Sequence, residues 1–174
     1  RPVWFWPRMN RIDPSRPFIP VNIAVLTISD TRDASNDTSG DLLEQRLTAA
    51  GHKLAHRAII RDDRDAIIER LRALIDDPQI DIVISTGGTG VTGRDVTPEA
   101  FAAVYEKEIT GFGEMFRWLS YAKIGTSALQ SRATAGVAKG TYLFAVPGST
   151  RVPRCVGRDP GLSARQPPPA VQFH

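Results

Sequence analysis

Three short apolar runs, separated by two amphipathic helix patterns, constrain this 174-residue chain more than any other feature. The first, VNIAVLTIS from Val21 to Ser29, is almost unbroken in aliphatic and β-branched residues, the composition of a strand covered on both faces. HKLAHRAII, from His52 to Ile60, alternates into a second strand, and QIDIVIST, from Gln79 to Thr86, forms the third. Between the first two, DTSGDLLEQRLTAAG predicts a helix with a capping-box-like start at Thr38 and Asp41 and a terminating glycine at Gly51. Between the second and third, Ile67, Ile68, Leu71, Leu74 and Ile75 place an apolar stripe on one helix face. Strand, helix, strand, helix, strand is the signature of a right-handed parallel α/β sheet.

The following helix is predicted to open at Thr97, Pro98 and Glu99: a capping hydroxyl, a proline in the first turn and an acid at the positive end of the dipole. It is expected to run to about Lys107, followed by a glycine-hinged turn in EITGFGEMFRWLSYAKIG and then another helix. TYLFAVPGS reads as a later strand closed by a Pro-Gly turn. Length and a 41% hydrophobic content suit one domain with a real core. The expected organisation is an extension over 1–18, an α/β domain over 19–150 and an atypical tail over 151–174.

Charge sorts the functional classes. The chain carries a formal +3, yet residues 1–16 and 150–174 each hold four arginines and one aspartate. The remainder, with 14 Lys and Arg against 17 Asp and Glu, is net negative. The basicity lies in the ends, so no nucleic-acid groove is expected on the folded body. A single cysteine, Cys155, excludes an intramolecular disulfide framework, and no Cys/His cluster has zinc spacing. With no apolar run of membrane-spanning length and no signal-like opening, the expectation is a cytoplasmic protein without a membrane partner. The opening RPVWFWPR, upstream of Met9, is taken as foreign or misassigned sequence.

The richest stretch is ISTGGTGVTGRDVTPEA, from Ile84 to Ala100. Gly88, Gly90 and Gly93 spell GxGxxG, which would suit a nicotinamide-dependent oxidoreductase. That motif starts its helix inside the glycine run and would bury Pro98 in a helix interior, at about 3 kcal/mol. Gly88 and Gly93 also match half of a P-loop, but Arg94 and Asp95 replace its Lys and Ser/Thr. As chemistry, Thr86, Gly87, Gly88, Thr89 and Gly90 make an anion cradle of converging backbone N–H groups and hydroxyls. A carboxylate beside it, Asp95, would repel an anion unless a cation intervenes, and Mg²⁺ bridges one or two carboxylates to phosphates. Asp62 or Asp63 after the second strand, and Ser29 with Asp30 after the first, reach the same sheet edge. The same acids also read as an ordinary acidic helix start, above all Asp63 and Asp65. His52 and His56 share a strand face without an acid to complete a metal site, and Trp4, Trp6 and Trp118 form no stacking series. Arg132 in LQSRATAG suits either a phosphate or a surface contact, and Gly148 with Ser149 close a strand edge with a turn and a hydroxyl.

Taken in order, TISDTRDASNDTSG, ISTGGTGVTGRDVTPEA, GFGEMFRWLSYAKIGTSALQSRATAGVA and VPGST resemble the MoaB/Mog family of molybdenum cofactor biosynthesis, which includes the N-terminal domain of gephyrin. The likeness covers about residues 19–150 and is strongest to the bacterial MoaB branch. It implies a three-layer α/β/α sandwich with a mostly parallel sheet. It also implies molybdopterin as substrate, MgATP as co-substrate, and adenylyl-molybdopterin with pyrophosphate as products. A non-catalytic molybdopterin-binding or assembly role in the same pathway is the alternative. Asp62 and Asp95 match the family's two functional aspartates, expected to be catalytic and to hold Mg²⁺, with Asp63 an alternative for the first. Ser29, Asp30, Thr86, Gly87, Gly88, Thr89, Gly90, Gly111, Gly113, Glu114, Ser131, Arg132, Gly148 and Ser149 map to substrate-binding positions. The resemblance further implies a homo-trimer or hexamer and a downstream molybdate-insertion partner. After PGST the family continues into a helix, whereas this chain turns arginine- and proline-rich, with five prolines from Pro153 to Pro169. That break reads as a shifted reading frame near residue 150 and a poorly ordered tail.

Overall fold

The computed structural model describes residues 17–148. Its elements run β1 (Asn22–Ile28), α1 (Thr38–Ala49), β2 (Lys53–Ile60), α2 (Arg64–Ile75), β3 (Ile82–Thr86) and α3 (Thr97–Ala102). They continue as β4 (Lys107–Glu108), α4 (Thr110–Ile124), a 3₁₀ segment (Gly125–Gln130), β5 (Thr134–Ala138) and β6 (Thr141–Val146). All six strands join one sheet in the order β2-β1-β3-β6-β5-β4. The first four are mutually parallel, while β5 and β4 are antiparallel additions on one side.

Strand alternation splits the core into two layers. Ala24, Leu26 and Ile28 of β1 face α2 and α3, packing with Ile67, Leu71 and Phe101. Ile23 and Val25 face Leu43 and Leu47 of α1. Phe112 of α4 lies 5.2 Å, ring to ring, from Phe144, which packs on that second cluster. The sheet is thus sandwiched between α1 and α4 on one face and α2 and α3 on the other, as expected for a three-layer α/β/α fold. Ile67 and Leu71 are fully buried, and each contributes about 1.5–3 kcal/mol by leaving water.

Several local expectations are corrected. The cap of α1 is Asp37 rather than Thr38: its carboxylate is buried and accepts from Gly40 N, one residue earlier than the capping-box pattern predicts. α3 stops at Ala102, short of Lys107, because Lys107 and Glu108 leave to pair with β5. The glycine-hinged turn does not form. Gly111 and Gly113 lie inside the first turn of α4, where a Cβ on Gly113 would approach the Ala133 carbonyl oxygen at 2.7 Å. His52 precedes β2 instead of sharing its face with His56, its ring 5.1 Å from Phe18.

Two strands escaped the sequence reading. β5, TAGVA, is built of small residues because a Cβ on Gly136 would collide with the Tyr105 ring. It joins β6 through Lys139 and Gly140, both at positive φ, a two-residue turn whose twist matches the hairpin. Residues 1–16 of the expected 1–18 extension, Ser149, Thr150 and the expected tail over 151–174 lie outside the described residues.

Candidate functional site

Strand order reverses direction about β1, with β2 on one side and β3 on the other. Such a switch point opens a crevice beyond the C-terminal ends of the strands. Each of the four parallel strands delivers a predicted residue there: Ser29 and Asp30 after β1, Asp62 after β2, Gly87 and Gly88 after β3, and Gly148 after β6.

The glycine turn is needed on steric grounds. Gly87 has φ +108° and faces the Ile28 carbonyl so closely that any Cβ would collide, while its N–H donates to Val146 O at 3.0 Å. The turn is thereby pinned between β1 and β6. Gly88 has φ +61°, and a Cβ there would fall 2.8 Å from Asp62 Oδ1 and against the Thr97 hydroxyl. At Gly90 a Cβ would come within 2.8 Å of Asp95 Oδ2. The two aspartates therefore abut opposite ends of the Gly88–Gly90 turn. Thr89 between them is buried, and Thr86 ties the turn to β6 by donating from Oγ1 to Pro147 O at 3.2 Å.

The carboxylates have opposite electrostatic surroundings. Burial raises the Asp62 carboxyl above its ordinary value, offset in part by the Val96 N–H that donates to it at 3.4 Å, and Asp95 and Asp30 raise it further. Asp95 is lowered, first by the Thr92 hydroxyl on its Oδ2, then by the Thr92 N–H at 2.9 Å and the charge of Arg132. Asp30 links the two sides: its Oδ1 accepts from the Asp62 N–H at 3.2 Å and its Oδ2 pairs with Arg94. Asp63 is accounted for separately as the cap of α2, accepting from Ala66 N at 2.9 Å. The Ser29 hydroxyl turns back to accept from the Thr31 and Arg32 N–H groups, each at 3.3 Å.

The remaining predicted residues divide. Gly148 meets Gly87 closely, and its carbonyl accepts from the Ser39 hydroxyl at 2.9 Å, so the start of α1 borders the crevice. Gly113, Ser131 and Arg132 line a neighbouring cleft of about 510 Å³ with Pro98, Glu99 and Arg117. Gly111 and Glu114 are exposed near the start of α4. Arg132 reaches the back of the glycine loop, on Gly90, Asp95 and Glu99.

Four contributors were missed: Asp37, Ser39, Arg57 and Arg94. Asp37 accepts from the Thr27 hydroxyl at 2.9 Å and from Arg57 at 2.9 Å, and Arg57 also reaches Asp41 and Glu44, each at 2.7 Å. This hub fixes α1 against β1 and β2 beside the crevice. The DTSGD run contained the signal for Asp37, since Asp is preferred to Thr as a cap and leads the run. Nothing local in the sequence pairs it with Arg57.

Among the described residues, no group of three His, Cys, Asp or Glu side chains is arranged to hold a metal alone. Two carboxylates beside a glycine turn are still a donor set Mg²⁺ takes when phosphates and water complete its shell, and Asp62, raised first by burial and further by Asp95 and Asp30, is a group that a cation would relieve. The GxGxxG reading fares worse, because the first helix after the glycines begins only at Thr97. No helix among the described residues is long and apolar enough to cross a membrane.

Comparison with known proteins agrees with this geometry. A family model described as "Probable molybdopterin binding domain" matches residues 24–154. The chain is 45% identical over 163 residues to molybdenum cofactor biosynthesis protein B of Escherichia coli K12, covering 92% of this chain and 95% of that protein. A crystal structure of a molybdenum cofactor biosynthesis protein B superposes with TM-score 0.77 at 42% identity, covering 81% of this chain and 88% of the other. The tungsten cofactor synthesizing protein MoaB of Pyrococcus furiosus follows at TM-score 0.64 and 32% identity, over 76% and 85% of the two chains. The chain belongs to the molybdopterin-binding MoaB/Mog family of molybdenum cofactor biosynthesis.

Proposed function

We propose that the protein binds molybdopterin across the crevice and transfers an adenylyl group to it from MgATP, releasing pyrophosphate. The observation that carries the reading is the placement of Asp62 and Asp95 at opposite ends of the Gly88–Gly90 turn, one carboxyl raised and the other lowered. An anion cradle flanked by carboxylates suits a phosphate that arrives with a cation.

In this reading a phosphate oxygen of molybdopterin bonds to the α-phosphorus of ATP. The bond from that phosphorus to the bridging oxygen breaks, and its electrons leave on pyrophosphate. Asp62 and Asp95 would hold Mg²⁺, which supplies charge neutralisation at the reacting phosphates. The backbone N–H groups of the turn beyond Gly87 orient the bound phosphate, and Gly87 seats the turn on β1 and β6. Ser29, Asp30 and Gly148 border the same space, with Gly111, Gly113, Glu114 and Ser131 on the adjoining α4 side. Positioning and electrostatics carry most of the rate in such transfers, and no strong protein base is required.

The setting proposed is the cytoplasm, with the product passed to a molybdate-insertion protein. Assembly as a homo-trimer or hexamer is supported by a row of exposed apolar side chains on α4, Met115, Trp118, Tyr121 and Ile124, with Leu129 beyond. Light scattering on purified protein reads that assembly directly.

A binding-only role is the second reading, favoured by the family match, whose description speaks of molybdopterin binding and of no transfer. The two separate in one assay: pyrophosphate release from MgATP with molybdopterin, with and without a chelator. Chelator-sensitive release supports the enzyme. Molybdopterin binding without release supports the binding protein.

A further inference from the structure

All three nitrogens of the Arg132 guanidinium are engaged on one loop and the helix that follows it. Nε donates to Gly90 O at 2.6 Å, one terminal nitrogen donates to Asp95 O at 2.5 Å, and the other pairs with the Glu99 carboxylate. The backbone N–H of Arg132 also donates to Thr89 O at 3.1 Å. These acceptors lie at both ends of the Gly90–Asp95 stretch and in the first turn of α3, so a single planar fork spans the loop that carries Asp95. Within that span Val91, Thr92, Gly93 and Arg94 are exposed, and a Cβ on Gly93 would meet nothing within 4 Å. The loop has little packing of its own to hold it.

We infer that Arg132 is a positioning residue that fixes the backbone of the glycine loop, and with it the direction of Asp95, rather than a ligand of substrate phosphate. This rests on reading the loop as the adenylylation site. A phosphate-gripping arginine presents two neighbouring N–H groups to one anion; here three of the five N–H groups, one on each nitrogen, already serve the protein and fix the plane of the guanidinium. Glu99 gives the arrangement its second anchor. It sits where an acid favours the helix dipole, and although burial pushes its carboxyl up, the hydrogen bond and charge of Arg132 leave it below the ordinary glutamate range.

Arg132→Lys separates the two roles. Lysine keeps the charge that a phosphate would feel, but a single ammonium cannot span three divergent acceptors. In the ligand-free protein, amide exchange at Asp95, whose N–H donates to Thr92 O, and at Thr97, whose N–H donates to Gly88 O, should accelerate about tenfold, the equivalent of one lost charged hydrogen bond. In turnover, kcat should fall about tenfold while KM for MgATP and molybdopterin stays within about twofold. Glu99→Gln, which leaves Arg132 in place, should shift both readouts the same way by less. Unchanged loop exchange in Arg132→Lys, with a raised KM and a silent Glu99→Gln, would overturn the inference and make Arg132 a ligand. Because exchange is read without substrate, faster loop exchange in a protein that releases no pyrophosphate supports the brace and removes the adenylylation reading instead.

Discussion

α1 and α3 both begin at the edge where the crevice opens, yet they begin under opposite conditions. α1 starts on Asp37, a fully buried carboxylate whose oxygens accept from Gly40 N, the Thr27 hydroxyl and Arg57. α3 starts after Val96 with no side-chain cap, and the Thr97 hydroxyl beside it is buried without a hydrogen-bond partner. Around it lie Asp62, raised by burial, and a loop that depends on one arginine for its shape. The first helix start is complete in itself and serves stability. The second leaves the buried Thr97 hydroxyl unmatched, the condition expected where a ligand finishes the site.

Four changes would break or sharpen that contrast. The largest effect belongs to Asp37→Ala, which removes two buried hydrogen bonds and the half-buried pair with Arg57, leaving Arg57 facing only exposed acids. It should cost about 3 kcal/mol in denaturant unfolding, and a cost below about 1 kcal/mol would mean that α1 holds its place without the hub. Next, Asp62→Asn keeps an acceptor for the Val96 N–H but removes the charge, so adenylyl transfer should fall about 100-fold while the fold is retained. Equal activity would place the chemistry elsewhere. Gly87→Ala follows, at about 2 kcal/mol of stability, since φ +108° and the Ile28 carbonyl both exclude a Cβ; a melting curve unchanged from wild type would refute the pinned turn.

The smallest effect is one of sign, read in metal-free protein. Asp62 is raised in the folded state, so it holds its proton longer there than in the unfolded chain, and its ionisation costs stability as pH rises through that range. Asp95 is lowered, so its contribution is in place above the unfolded range and is lost as pH falls through its folded value. At neutral pH Asp62→Asn should be more stable than wild type and Asp95→Asn less, each by under about 1 kcal/mol. The Asp62→Asn gain should vanish below about pH 4. Two shifts of the same sign would show that the carboxylates share one environment.

The contrast also marks what the sequence could carry. β1 to β3, with α1 and α2 between them, were legible because each signal is local: an aliphatic run, a stripe at helical spacing, a glycine at the end. The glycine turn after β3 was legible, and so was Asp95 beside it, while the residues alone left Asp62 and Asp63 open and the structure puts Asp62 against the turn. What stayed hidden depends on distant partners. TAGVA becomes β5 by pairing with β6 and β4, and its glycine leaves room for the Tyr105 ring. The pairing of the Asp37 cap with Arg57 joins the start of α1 to β2, which nothing local in either segment announces. The glycines of α4 looked like a hinge, but Gly113 is there to let the helix approach Ala133. Arg132 had the right charge for a phosphate, and only the positions of Gly90, Asp95 and Glu99 show where that charge is directed.

The most direct test of the central claim is molybdopterin-dependent pyrophosphate release from MgATP by the wild-type protein and by Asp95→Ala, with molybdopterin binding measured on both. The account predicts release by the wild type, its loss in the variant, and binding retained by each. Tight molybdopterin binding with no release from correctly assembled wild-type protein would contradict it.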